Sequence, residues 1–153
     1  MKFKLACIFF YFFILTNCGF KLVQNTYDFN IVDINTLGDK NISYQLKNKL
    51  NFGSKEKVNK LEIEIFSEKL KNIKEKNITN EVTKYEIKIV SKVEFKILPN
   101  GILNNFTISK YGDFAVTGEH LNTLNNEKKL VEVLVNDIAE EILFNLSIKL
   151  NDT

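Results

Sequence analysis

The segment from residue 85 to residue 97 alternates between two kinds of side chain over its whole length. Apolar residues and one serine occupy every second position, and most positions between them are charged. The first set is Tyr85, Ile87, Ile89, Ser91, Val93, Phe95 and Ile97, and the second is Glu86, Lys88, Lys92, Glu94 and Lys96. A side-chain period of two belongs to an extended strand, whereas a helix repeats every ~3.6 residues. The segment therefore predicts a long β-strand with one buried and one wet face.

Other segments of the chain favour shorter strands and turns. In chain order they are a strand of aromatic and β-branched residues at 27–34, an alternating strand that begins near 57, an exposed turn within the Lys-rich stretch 68–80, a tight turn at 99–101 and a hairpin partner at 102–114. Together with the 85–97 strand, they predict a mostly antiparallel sheet of about four strands.

Two segments have helical spacing. After Gly38-Asp39, which supplies a start signal, Ile42, Leu46 and Leu50 recur every four residues and predict a short helix. A second stripe predicts a long helix from residue 121 or 126 to 150; it consists of Leu130, Leu134, Ile138, Ile142 and Leu146. The resulting order is β-α-β-β-β-α, which predicts an α+β fold, a two-layer sandwich in which two helices cover the sheet.

The N-terminus is typical of a bacterial export signal. Lys2 and Lys4 precede an apolar run at 5–15 that is too short to cross a membrane, since a spanning helix needs about 20 residues. Leu15-Thr16-Asn17-Cys18 then resembles a lipobox, whose cysteine receives a diacylglycerol. The sequence predicts a lipoprotein signal peptide at 1–17, lipidation of Cys18, and a single domain at 18–153 with a linker to about residue 26. An uncleaved anchor or an ordinary secretory signal is the alternative.

The charge of the chain is unevenly distributed. Removing residues 1–17 takes away two of the 21 lysines and no acid, so the net charge falls from +2 to zero. Residues 40–110 hold 15 lysines and eight glutamates, an excess of seven positive charges. Such an excess fits either an anionic partner or a set of solvated strand faces.

The sequence contains little that points to catalysis. No spacing near the one histidine, His120, supports a metal cluster or a Ser/His/Asp arrangement. We expect the carboxylates of Asp113 and Glu119 either to cap backbone N–H groups or to face solvent. The six glycines are scattered, so the glycine-rich phosphate loops are missing. We therefore expect no enzyme activity, no catalytic residue, no metal or cofactor site, and no nucleic-acid partner.

Two regions of the sequence resemble one known family. Cys18-Gly19-Phe20-Lys21-Leu22 is similar to the Cys-Gly-Phe-His-Leu start of the mature lipopolysaccharide-assembly lipoproteins, the LptE family, with Lys21 at the usual histidine position. The residues at 111–116 and the helical segment at 136–142 resemble the closing region of that family. The order of the predicted elements and the length of the chain agree with the family as well.

This resemblance implies a role at the cell outer membrane, facing the periplasm. Members of the family act as plug and assembly partner of the β-barrel that inserts lipopolysaccharide, an LptD-like protein, and contact lipopolysaccharide; none has a catalytic residue. Gly19, where a retention signal has Asp, also favours the outer membrane. Because lipopolysaccharide is densely phosphorylated, Lys88, Lys92 and Lys96 are candidate ligand-binding residues. The alternative is an independent lipid-anchored protein that faces the periplasm and binds a small apolar ligand between sheet and helices.

Overall fold

The structure, a computed structural model, describes residues 28–51 and 59–151 of the chain. It contains four strands and two helices in the order β-α-β-β-β-α. The elements are β1 (Phe29–Gly38), α1 (Lys40–Leu50), β2 (Asn59–Lys76), β3 (Val82–Leu98), β4 (Ile102–Ala115) and α2 (His120–Asn151). Both helices pack on one face of the sheet, so the predicted α+β sandwich is confirmed.

The strands follow one another across the sheet in the order β1-β2-β3-β4. β1 pairs with β2 in parallel, through the crossover that contains α1, whereas the other two pairs are antiparallel. A bulge at Val32 interrupts the register of β1 against β2, but β3 and β4 pair without a shift from Lys84 to Ile97. The sheet therefore has two edges, β1 and β4.

The start of α1 is fixed by Gly38 and Asp39. The carboxylate of Asp39 accepts hydrogen bonds from the backbone N–H groups of Asn41 and Ile42, at 3.0 and 3.1 Å, and so caps two of the free donors of the helix. The backbone N–H of Asp39 donates to the carbonyl of Ser67 on β2, at 2.8 Å. This bond joins the end of β1, the start of α1 and the middle of β2.

The core lies between the sheet and the two helices. The predicted alternation of β3 is confirmed, because all of its apolar positions from Ile87 to Ile97 on the helix side are buried. The helix stripes face them, with Ile42 and Leu46 of α1 and Ile138 and Ile142 of α2 fully buried. Ser67 and Ser91, the polar residues buried among the strands, satisfy each other through a hydroxyl–hydroxyl hydrogen bond of 2.8 Å.

The exposed turn predicted within residues 68–80 lies at the end of this stretch, at residues 77–81. The rest of the stretch belongs to β2, which continues to Lys76. The reason is that the backbone ladder with β3 continues to Val82, although the side chains of this part of β2 no longer alternate between apolar and polar. β1 is also displaced toward the C-terminus, since it runs to Gly38 instead of ending near 34.

The predicted signal peptide and Cys18 lie outside the described residues. Within residues 28–51 and 59–151, neither helix is long and apolar enough to cross a membrane.

Candidate functional site

The face of the sheet opposite the helices carries the lysines predicted to bind a ligand. Lys88, Lys92 and Lys96 all point to this outer face from β3, and all three are exposed. They stand four residues apart, so successive lysines are about 13 Å from each other along the strand. No carboxylate of the described residues lies within ion-pair distance of any of them.

Each lysine has one neighbour on β2 and one on β4. The three rows across the outer face are Glu62-Lys96-Leu103, Phe66-Lys92-Thr107 and Leu70-Lys88-Tyr111. Lys96 therefore has a glutamate beside it, whereas Lys92 and Lys88 have an apolar or aromatic residue instead. Cross-strand neighbours of this kind are close enough for side-chain contact.

Acidic residues share this face with the lysines. Glu62, Glu64 and Glu68 project from β2, and Glu94 lies between Lys92 and Lys96 on β3. The excess positive charge of residues 40–110 is therefore not concentrated on the outer face. Glu86 on β3 and Asp113 on β4 lie on the same face near Lys88, so acidic residues accompany the lysines at both ends of the face.

An apolar band crosses the middle of the outer face. Leu37 on β1 pairs with Phe66 on β2, which is 44% exposed, and Leu70 follows four residues further along β2. Tyr111 on β4, which is 70% exposed, lies beside Lys88. The band and the ammonium groups of Lys88 and Lys92 together form a surface that can meet both anions and hydrocarbon.

The far end of the β2–β3 hairpin projects beyond β1, because β1 pairs with β2 only as far as Ser67. The side-chain oxygen of Asn77 organises the turn by accepting hydrogen bonds from the backbone N–H groups of Thr79 and Glu81, at 3.0 and 2.9 Å. The turn presents Ile78 with its side chain fully exposed. The bonds from the side chains of Asn77 and Thr79 also lower the pKa of the Glu81 carboxyl.

A polar cluster attaches this hairpin to α2 on the inner face. The ammonium group of Lys71 lies over the rings of Tyr85 and Phe114, at 4.4 and 5.0 Å from their centroids, and 2.6 Å from Glu127. Lys69 is 3.6 Å from the same carboxylate. Burial raises the pKa of Glu127, but the hydrogen bond and charge of Lys71, with Lys69, outweigh burial and leave that pKa below its usual value.

An open groove of about 640 Å³ lies beside this cluster, between the two helices and β2. Its described lining is mostly polar: Asn41, Gln45 and Asn48 come from α1, and Lys69, Glu127 and Lys128 from β2 and α2. Among the described lining residues, only Leu124 and Val131 are apolar. The groove is therefore not the apolar cavity that a small apolar ligand would need.

The remaining residues singled out in the sequence are dispersed. His120 is exposed at the first position of α2. Asp113 forms an ion pair with Lys74, and Glu119 accepts a hydrogen bond from Asn122. Among residues 28–51 and 59–151, no three His, Cys, Asp or Glu side chains are grouped so that they could hold a metal ion.

Sequence reasoning overlooked the apolar part of the outer face. The sequence did contain one signal of it, Phe66. Leu61, Ile63 and Ile65 alternate with glutamates, and Phe66 falls where a further glutamate is expected. It is therefore an apolar residue on the solvent-exposed face of the strand. Leu37 and Tyr111 join it only through strand pairing, which the sequence pattern does not specify.

Comparison with solved structures finds this fold in lipoproteins. Rare lipoprotein B from Shewanella oneidensis is 16% identical with a TM-score of 0.57, over 78% of this chain and 97% of that chain. A chain from Caulobacter crescentus CB15 that is described as a lipoprotein is 13% identical with a TM-score of 0.51, over 78% and 90% of the two chains. Lipoprotein B from Nitrosomonas europaea is 15% identical with a TM-score of 0.50, over 87% and 93%.

No protein-family model matches the chain, and no curated protein matches it in sequence. The protein therefore has the fold of these three solved lipoproteins, which it resembles in three-dimensional structure and not in sequence.

Proposed function

We propose that the protein is an outer-membrane lipoprotein of the LptE type. In this proposal it is anchored by a lipid on Cys18, acts as plug and assembly partner of the β-barrel that inserts lipopolysaccharide, and contacts lipopolysaccharide itself. Two independent lines support the proposal. One is the lipobox-like start with the Cys18–Leu22 motif, and the other is the likeness to rare lipoprotein B, which is LptE.

The observation that carries the ligand part of the proposal is the composition of the outer face. Lipopolysaccharide offers phosphates next to acyl chains, so a surface for it needs cations beside exposed apolar groups. Lys88 and Lys92 lie beside Leu70, Tyr111 and Phe66 in the same rows of the sheet. The ammonium groups would bind phosphate as point charges, and the apolar band would cover hydrocarbon.

The test is lipopolysaccharide binding by the full chain in which Lys88, Lys92 and Lys96 are all replaced with Gln. We expect weaker binding and an unchanged melting temperature, because all three side chains are exposed and have no ion pair with a described residue. Loss of binding should be greater at low ionic strength, where charge attraction is less screened.

A matched control removes the same number of charges from the helix side of the molecule. Lys40, Lys47 and Lys129 are exposed on α1 and α2, and their replacement with Gln should leave binding close to that of the wild type. If the two triple variants bind lipopolysaccharide equally well, the outer face is not the contact surface.

A further inference from the structure

The outer face of the sheet changes its chemistry from strand to strand. The row through Phe66 consists of Leu37 on β1, Phe66 on β2, Lys92 on β3 and Thr107 on β4. It runs from two apolar side chains through an ammonium group to a hydroxyl group. Neighbouring strands are about 4.8 Å apart, so the whole change takes place over roughly 14 Å.

A second row, through Leu70, has the same order. Leu70 on β2 is followed by Lys88 on β3 and by Tyr111 on β4, whose ring carries a hydroxyl group at its tip. The row between these two begins with Glu68 on β2 and again ends with a hydroxyl group on β4, that of Ser109. Glu68 therefore separates the two apolar positions of β2 but leaves the order within each of their rows unchanged.

The β4 end of the rows is a strip of uncharged hydrogen-bonding groups. This polar strip consists of Asn105, Thr107, Ser109 and Tyr111, all of which are exposed. None of the four side chains has a hydrogen bond to another described residue, whereas the amide of Asn35 on β1 donates to Glu64 at 3.1 Å. Hydroxyl and amide groups both donate and accept hydrogen bonds. The strip therefore offers uncommitted partners to a ligand that is rich in hydroxyl groups.

We propose that a phosphorylated glycolipid binds across the strands in one direction. Its saccharide lies over the polar strip, its phosphates lie on Lys88 and Lys92, and its acyl chains lie over the apolar side chains of β1 and β2. The reverse direction would cover the hydroxyl and amide groups of β4 with hydrocarbon and leave them without partners, which is costly. The inference rests on the ligand part of the proposed function and adds the direction in which the ligand lies.

The test is competition against labelled lipopolysaccharide bound to the full-length chain in mild detergent. Two competitors each carry one part of the ligand. Lipopolysaccharide freed of its acyl chains by alkali keeps saccharide and phosphate, and dioleoyl phosphatidic acid keeps phosphate and acyl chains. Both should compete for the wild-type chain.

Two double variants, neither of which changes the charge, separate the two ends of the rows. Phe66→Thr with Leu70→Thr should weaken competition by phosphatidic acid at least about tenfold, because hydrocarbon loses its apolar contacts, and should change competition by the deacylated ligand less than about twofold. Thr107→Val with Ser109→Ala should weaken competition by the deacylated ligand at least about threefold, because two hydroxyl partners are lost, and should change competition by phosphatidic acid less than about twofold.

A matched control, Tyr44→Thr with Val133→Thr, removes exposed apolar side chains from the two helices and should leave both competitors as effective as with the wild type. A variant that still binds one competitor is folded, so the crossed pattern contains its own control for folding.

Two kinds of failure are distinguishable. If the wild-type chain does not bind lipopolysaccharide, the ligand part of the proposed function is contradicted, and the inference with it. If it binds lipopolysaccharide but one competitor has no effect, or if each variant weakens both competitors equally, the proposed direction is overturned and the proposed function is unaffected.

Discussion

Gly38 occupies a backbone position that a larger residue does not fit. Its φ of +93° lies in the left-handed region, where a side chain is strained, and a Cβ atom added there would be 2.1 Å from the carbonyl oxygen of Ser67. That oxygen also accepts the hydrogen bond from Asp39. A side chain at residue 38 would therefore disturb the junction of β1, α1 and β2.

We predict that Gly38→Ala lowers the free energy of unfolding by about 2 kcal/mol or more, because backbone strain and overlap with Ser67 act together. The measurement is urea unfolding followed by circular dichroism. Gly118→Ala is the control, since a Cβ atom there would meet nothing within 4 Å, and its effect should stay within about 1 kcal/mol. Equal effects of the two changes would contradict this account of Gly38.

At the residue scale, the sequence predicted the role of Gly38-Asp39 as a helix start but not the contact with Ser67. The contact depends on the parallel register of β1 against β2, including the bulge at Val32, and no local pattern specifies that register. Lys88, Lys92 and Lys96 were predicted to share a wet face and do so.

At the scale of elements, the cluster around Lys71 links the β2–β3 hairpin to β4 and α2. Lys71 lies on β2 and contacts Tyr85 on β3, Phe114 on β4 and Glu127 on α2. The side chain of Glu127 is only 18% exposed, so its charge is screened less than that of a surface ion pair. The contacts of Lys71 therefore attach the β2–β3 hairpin to β4 and α2.

We predict a pH dependence of stability that comes from Glu127. Because its pKa is lowered in the folded protein, its contribution is complete above the ordinary value of 4.5 and is lost as the pH falls through the lower, folded value. Glu127→Gln should therefore be less stable than the wild type at neutral pH, and the difference should disappear at acidic pH. Thermal unfolding from pH 7 to pH 3 measures this.

The control for this prediction is Glu132→Gln, which removes an exposed carboxylate of α2 that has no ion pair with the described residues. The difference in stability between neutral and acidic pH should be the same in this variant as in the wild type. A constant stability difference between Glu127→Gln and the wild type over this pH range would show that the ion pairs of Glu127 do not stabilise the fold.

The sequence predicted the order and type of all six elements because their signals are local. The alternation of β3 and the stripe of α2 extend over many residues, so a wrong period is easily excluded. The sequence pattern does not identify the second half of β2 as a strand, because Lys69, Leu70 and Ile73 alternate poorly, and there the backbone ladder with β3 maintains the strand. Whether such a segment forms a strand depends on pairing with a strand elsewhere in the chain, and a single sequence does not show that pairing.

At the scale of the whole molecule, the sheet has one face closed by helices and one face open. The open face combines lysines with an apolar band, and β4 adds the polar strip. The described residues bury a hydrophobic core between sheet and helices and still expose apolar surface, which is typical of a binding partner in an assembly. In the proposed function, this assembly is the lipopolysaccharide translocon.

The most direct measurement is affinity purification of the C-terminally tagged protein from its native envelope in mild detergent, with mass spectrometry of what copurifies. The account predicts a large outer-membrane β-barrel in roughly one-to-one ratio with the tagged protein. Recovery of the tagged protein without a barrel, from an extract that contains the barrel, would contradict the account and favour an independent lipid-anchored protein.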